Sequence, residues 1–282
     1  MRFGINTFLF TSPFTTESIS LFPQFKKWGF DTVEIALEDA SHIDPVIVKK
    51  ALDDNGLVCG SICAAMGGGR DFRGTEEAQK GAMDYLKGIV DISPVLGHPT
   101  LIGPLYSEVG RSGLTPPDEY KRQWEMVVKH LRTLAAHAGS LGVKLAIEPL
   151  NRFETDFINT CDQALQMIHD VNEAALFVHL DTFHMNIEEK SSAKAIIKAG
   201  DKLGHFHASG SDRGTPGNGQ INWTTIFDAL QQINYKGDVV IESFTPAIEI
   251  IARAACIWRD LEPSRESIAV DGVKFLKKIA GR

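Results

Sequence analysis

Short apolar runs alternate along this chain with longer stretches of amphipathic spacing. The runs fall at residues 3–8, 31–37, 57–63, 99–103, 143–149, 176–181, 203–209 and 238–243, and they read as buried strands. Between them the spacing predicts helices. The clearest starts at Thr115, where Pro116 suits the first helical position and Asp118 the first turn. Its stripe runs Trp124, Val127, Val128, Leu131, Leu134, Ala135, Ala138 and Leu141, and Gly142 can end it. Other helices are predicted over 16–28 with Gly29 as the stop, from Asp44 to near Gly56, and over 223–233 with Gly237 beyond. Pro23, inside the first of these, either kinks it or marks its start.

Eight strands, each followed by a helix, predict an α/β protein: a (β/α)8 TIM barrel, one domain over residues 1–282. A doubly wound open sheet would bring a Gly-rich turn after an early strand, and "GINTFLF" is not one.

Composition narrows the function. Hydrophobic residues make up 43% and charged residues 23%, as in an ordinary globular protein. The net charge of −7 argues against a nucleic-acid partner, since phosphate binding needs clustered Lys and Arg. No apolar run of about 18 residues is present to span a membrane. The first residues, "MRFGINTFLFTSPF", do not read as a secretory signal. Cys59, Cys63, Cys161 and Cys256 are scattered and read as reduced, mostly buried thiols, so a cytoplasmic location is expected.

In a TIM barrel the chemistry sits where strands finish. The last four predicted strands finish at Glu148, Asp181, His207 and Glu242. Asp181 alone reads as a helix cap, but four neighbours ending this way can converge, because adjacent strands stand about 4.8 Å apart. Three carboxylates that close repel unless a cation lies between them, so the set implies one divalent metal. Three carboxylates and an imidazole suit Mn²⁺, Co²⁺ or Mg²⁺ better than structural zinc, with Mn²⁺ the expected ion and about two coordination positions left open. His205 and His179 stand two residues before His207 and Asp181, and read as supports behind the metal or as polar plugs of the interior. His42, His98, His130, His137 and His169 read as surface or helix-face residues without a role. Glu34 and Glu38 are left outside the site.

The loops after these strands supply residues to hold a substrate: Glu154, His184 and Arg213. "GTPGNG", at 214–219, is either a tight turn or a phosphate cradle, and "GGGRDF", at 67–72, resembles a flexible lid.

The motifs "IEPLNRFE", "HLDTFHMNIEE", "GHFHASGSDRGTPGNGQINW", "VVIESF" and "IWRD" resemble the ketose 3-epimerases, which include the D-tagatose, D-psicose (D-allulose) and L-ribulose 3-epimerases of the xylose-isomerase-like barrels. The likeness is dense from about Lys144 to Asp260. It implies that Glu148, Asp181, His207 and Glu242 are the metal ligands, and that Glu148 and Glu242 form an acid/base pair. Glu154, His184 and Arg213 match positions that hold the first carbons of the sugar, and Phe8 falls in the far pocket. The implied reaction inverts C3 of a free ketose through a cis-enediolate, one glutamate taking the C3 proton and the other returning it on the opposite face. A homodimer or homotetramer is implied as well, with Ile257 and Trp258 as exposed apolar residues. Two alternatives stay open here, and a third is set aside by the single histidine among the four ligands and the charge of −7. One is an isomerase or epimerase of sugar phosphates, another a non-catalytic sugar-binding protein. An apurinic-site endonuclease would want a His-rich, multi-metal mouth and a basic face.

Overall fold

Each of the eight apolar runs forms a strand in the computed structural model, which describes residues 1–281. The strands are β1 (Arg2–Asn6), β2 (Thr32–Leu37), β3 (Val58–Ala64) and β4 (Thr100–Gly103), then β5 (Leu145–Ile147), β6 (Leu176–Asp181), β7 (Leu203–Ala208) and β8 (Asp238–Ile241). All are parallel, paired in sequence order, and β1 pairs with β8 to close the barrel. This is the expected (β/α)8 fold. The expected strand ends need small corrections. The first run stops at Asn6 because the Asn6 side chain accepts the backbone N–H of Phe8 and winds Thr7–Leu9 into a 3-10 turn. Glu148 and Glu242 each stand one residue past their strands.

The helices are α1 (Phe22–Trp28), α2 (Pro45–Asp54), α3 (Glu76–Leu96), α4 (Pro117–Ser140), α5 (Cys161–Val171) and α6 (Thr182–Glu188), then α7 (Ser192–Ala199), α8 (Trp223–Gln232), α9 (Glu249–Ala254) and α10 (Arg265–Ile279). Pro23 marks a start: residues 16–21 are 3-10, and the proline lies in the first turn of α1. Gly29 ends α1 at φ 98°, a left-handed conformation that glycine adopts without strain. The long α4 begins at Pro117, with Pro116 as the residue before its first turn. The 21-residue α3, whose buried face carries Ala82, Leu86, Ile89 and Val90, was not among the predicted helices. None of the described helices is long and apolar enough to cross a membrane.

Most buried side chains lie in one large cluster, including Phe3, Ile5, Leu101, Leu145 and Phe206 of the strands together with Leu86, Leu131 and Leu134 of the helices. Residues that alternate with these on β2 to β5 belong to a second, smaller cluster: Ala36, Cys63, Ile102 and Ala146, with Phe8, Phe244 and Ile257. Ile257 is therefore core, and only Trp258 of the expected exposed pair is on the surface. Cys59, Cys63 and Cys161 are buried and Cys256 is exposed.

Two register shifts aim polar residues inward. Val33 pairs with Cys59 but Glu34 with Ser61, which leaves Gly60 unpaired in β3. Val178 pairs with Leu203 but His179 with His205, which leaves Gly204 unpaired in β7. Each is a β-bulge that re-aims the residues after it. A side chain at either glycine would collide: a Cβ on Gly204 would stand 2.6 Å from that of Phe177.

Candidate active site

The ends of β5 to β8 bring Glu148, Asp181, His207 and Glu242 together, one ligand atom from each, all within 4.8 Å of one another and all buried. Asp181 serves two purposes. Its Oδ1 caps α6 by accepting the backbone N–H of Phe183 at 2.7 Å, while Oδ2 accepts from Arg213 Nη1 at 2.8 Å and Ser209 Oγ at 3.1 Å. Glu242 accepts from Arg213 Nη1 at 2.6 Å and from Asn6 Nδ2 at 3.2 Å. Glu148 is held far less: its Oε1 has no hydrogen-bond partner, and His179 Nδ1 stands 3.5 Å from Oε2.

His207 lies with Nε2 2.7 Å from Glu34 Oε1, while its buried Nδ1 has no hydrogen-bond partner. That nitrogen is 3.4 Å from Glu242 Oε2 and 3.8 Å from Asp181 Oδ2. Buried polar atoms are rarely left without a partner. Two of them, His207 Nδ1 and Glu148 Oε1, occur here in one cluster with two further carboxylates. Hard oxygen donors plus one imidazole fit a divalent cation of the Mn²⁺, Co²⁺ or Mg²⁺ kind. The residues present therefore fit the metal expected from the strand ends.

Crowding sets the electrostatics. Burial, then the charge of Glu242, pushes the Glu148 carboxyl well above the usual carboxylate range. Burial pushes Asp181 up to about 6 against the opposing pull of Arg213. For Glu242 burial also acts upward, but His207 and Arg213 outweigh it and hold the carboxyl low. Burial works against the charged His207 imidazole, and Glu34 and Glu242 outweigh it, so its pKa is well above the ordinary value. Burial and then Arg213 keep His184 well below its ordinary value, hence neutral. Two glutamates with opposite protonation tendencies thus border one space, a setting suited to taking and returning a proton.

That space is a cavity of about 470 Å³ whose walls include Phe8, Glu148, Glu154, His184, Arg213, Glu242 and Phe244. All the residues expected from the loops reach it. Glu154 meets His184 through Asn151, which donates from Nδ2 to Glu154 Oε1 at 2.7 Å and from its backbone N–H to His184 Nδ1 at 3.0 Å. Arg213 Nη2 stands 3.0 Å from His184 Nε2, and the guanidinium lies over the rings of Phe183 and Phe244. The loop 214–219 spends donors within the protein: Glu262 Oε1 accepts from the Thr215 backbone N–H and from Asn218 Nδ2.

Sequence reasoning missed three residues. Asn151 was inside a quoted motif, "EPLNRFE". Asn6 and Glu34 end or interrupt apolar runs much as the ligands do, and an acid within a fully buried strand was the available signal. Glu38 also borders the cavity, accepting from Ser12 Oγ at 2.6 Å.

Comparison with known proteins places this architecture. Residues 22–279 match the model of the xylose isomerase-like TIM barrels. A probable ketose 3-epimerase from Synechocystis sp. is 34% identical over 279 residues, 99% of this chain and 96% of the relative. A solved L-ribulose 3-epimerase superposes with a TM-score of 0.92 at 30% identity, covering 99% of this chain and 94% of that one. A D-allulose 3-epimerase from Methylomonas sp., solved in complex with D-allulose, gives 0.91 at 29% identity, covering 99% and 96%. The chain belongs to the xylose isomerase-like TIM barrels, in their ketose 3-epimerase family.

Proposed function

We propose that this enzyme interconverts free 2-ketoses by inverting C3, with a divalent metal held by Glu148, Asp181, His207 and Glu242 and with Glu148 and Glu242 as the acid/base pair. The substrates are of the D-fructose/D-allulose, D-tagatose/D-sorbose and L-ribulose/L-xylulose type. One observation carries the proposal: both glutamates belong to the four-donor cluster and also wall the cavity that His184, Arg213 and Glu154 enter.

When bound, the metal supplies Lewis-acid stabilisation of the charge that develops on the ketose carbonyl oxygen. One glutamate removes the C3 proton to give an enediolate, and the other delivers a proton to the opposite face. Arg213 and neutral His184 hydrogen-bond O1 or O2, while Glu154 orients His184 through Asn151. Phe8 and Phe244 exclude water from the apolar side. Mn²⁺ is the metal, the location is cytoplasmic, and the enzyme works as a homodimer or homotetramer. Trp258, 70% exposed, supports self-association. A free sugar is favoured over a sugar phosphate because Glu262 already takes donors of the Gly-rich loop.

Proton NMR of D-fructose, D-tagatose and L-ribulose in D₂O tests this, each incubated with Mn²⁺-loaded and with chelated protein. Deuterium at C3 together with the epimeric ketose, only in the loaded sample, is expected. Exchange at C1 with an aldose product, or no exchange in any free ketose, would overturn it.

A further inference from the structure

We propose that Glu34 is a positioning residue for the metal centre: its carboxylate fixes the His207 imidazole with Nδ1 turned to the ligand cluster and, through Asn6, fixes the carboxylate of Glu242. The inference rests on the metal-dependent reading above and concerns a residue outside the four ligands.

Glu34 lies within β2 and is fully buried. Its two oxygens face four donors. Oε1 accepts from Asn6 Nδ2 at 2.7 Å and from His207 Nε2 at 2.7 Å. Oε2 accepts from Ser61 Oγ at 2.5 Å and lies 2.8 Å from His205 Nε2. A carboxylate has about four lone-pair sites, and three of these take hydrogen bonds while His205 Nε2 stands beside the carboxylate. Burying a carboxylate is costly even when it is matched, and filling the barrel does not call for it, since Ala36, Cys63, Ile102 and Ala146 fill neighbouring positions with apolar groups.

The geometry at His207 shows what the carboxylate does. In the neutral imidazole, the form that can ligate a metal, an acceptor at Nε2 holds the single ring hydrogen there and leaves the lone pair on Nδ1, the atom beside Asp181 and Glu242. A carboxylate behind a metal-bound histidine sets its tautomer and ring direction in this way. Asn6 extends the hold to a second ligand. Its Nδ2 donates to both Glu34 Oε1 and Glu242 Oε1, and its Oδ1 accepts the Phe8 backbone N–H, which fixes which way the amide points. His179, His205 and His207 also lie close together, but Glu34 occupies the Nε2 side of the last two, 2.8 Å from His205 and 2.7 Å from His207.

Glu34→Gln replaces one acceptor oxygen with a donor, so one pair of donors loses its partner. With the amide nitrogen toward His207, the favoured tautomer carries its hydrogen on Nδ1. The test is Mn²⁺ affinity, read by electron paramagnetic resonance without substrate, together with the visible spectrum of the Co²⁺-loaded protein. E34Q is expected to bind Mn²⁺ about 10- to 100-fold more weakly and to shift the Co²⁺ bands. Ser61→Ala removes a Glu34 donor without touching His207 and should stay within about threefold of wild type. A residue that only braces the barrel would lower the melting temperature and leave metal affinity and spectrum unchanged. Wild-type affinity in folded E34Q, or an equal loss in S61A, overturns the proposal. Should E34Q fail to fold, Glu34→Asp keeps the charge and withdraws the oxygens. It should lose affinity too, and unchanged affinity there overturns the proposal equally. A wild-type protein that binds neither Mn²⁺ nor Co²⁺ would overturn the metal-dependent reading and this inference together.

Discussion

Arg213 Nη1 stands 2.8 Å from Asp181 Oδ2, a buried charge-assisted contact between a loop after β7 and the end of β6. The same nitrogen reaches Glu242, while Nη2 is left for His184. Arg213 therefore braces two of the clustered carboxylates and presents the rest of its fork to the cavity. Replacing it with Met leaves those carboxylates without their cation and is expected to cost about 3–5 kcal/mol of metal-free stability, read by denaturant unfolding. Arg213→Lys keeps the charge but not the fork. It should retain most of that stability while KM for the ketose rises, and an unchanged KM would contradict a role in gripping substrate.

Glu148 is the less restrained of the two glutamates, and its carboxyl already favours the protonated form. Glu148→Gln should therefore reduce turnover at least about 100-fold, the usual worth of a general acid or base. Melting of the metal-free variant near pH 8 should not fall, because the amide keeps the shape of the protonated carboxyl and carries no charge to bury. Activity above about a tenth of wild type, with circular dichroism unchanged, would remove Glu148 from the reaction.

The raised carboxyls also set a pH dependence. In the metal-free fold, Glu148 and Asp181 titrate above their ordinary values of 4.5 and 3.8, Asp181 at about 6. The native state then holds protons that the unfolded chain has released, so their contribution to stability is present at low pH and lost as pH rises, for Asp181 through about 6. Metal must displace those protons, and its binding tightens as they leave. The gain in melting temperature on adding Mn²⁺ should therefore be larger near pH 8 than near pH 5.5. Calorimetry at both pH values checks this, and an equal gain would show that the metal does not compete with those protons.

The bulge in β7 offers a purely structural check. A methyl group on Gly204 would meet Phe177 at 2.6 Å, so Gly204→Ala should destabilise by about 1–3 kcal/mol through overpacking. Adding Phe177→Gly, which removes the Cβ that the new methyl meets, should recover part of that loss. A double-mutant cycle with no coupling would mean that the strand, rather than Phe177, absorbs the strain.

Much of this molecule was legible in one dimension because its information is local. Apolar runs separated by amphipathic spacing determine eight strands and their intervening helices, and strands that parallel and that numerous have one economical closure. The four ligands were readable for the same reason: Glu148, Asp181, His207 and Glu242 each close an apolar run, and their strands are neighbours. Glu34 stood out only as an acid inside an apolar run, and its role was not readable. Its partner His207 is 173 residues away. Nor did the sequence show that Ile257 turns inward or that Asn151 stands between Glu154 and His184. Those facts depend on register and on which side chains face one another across the closed barrel. The unpaired Gly60 and Gly204 shift that register by one residue and thereby bring Glu34, Ser61 and His205 into contact, and only the packed tertiary structure decides such a shift.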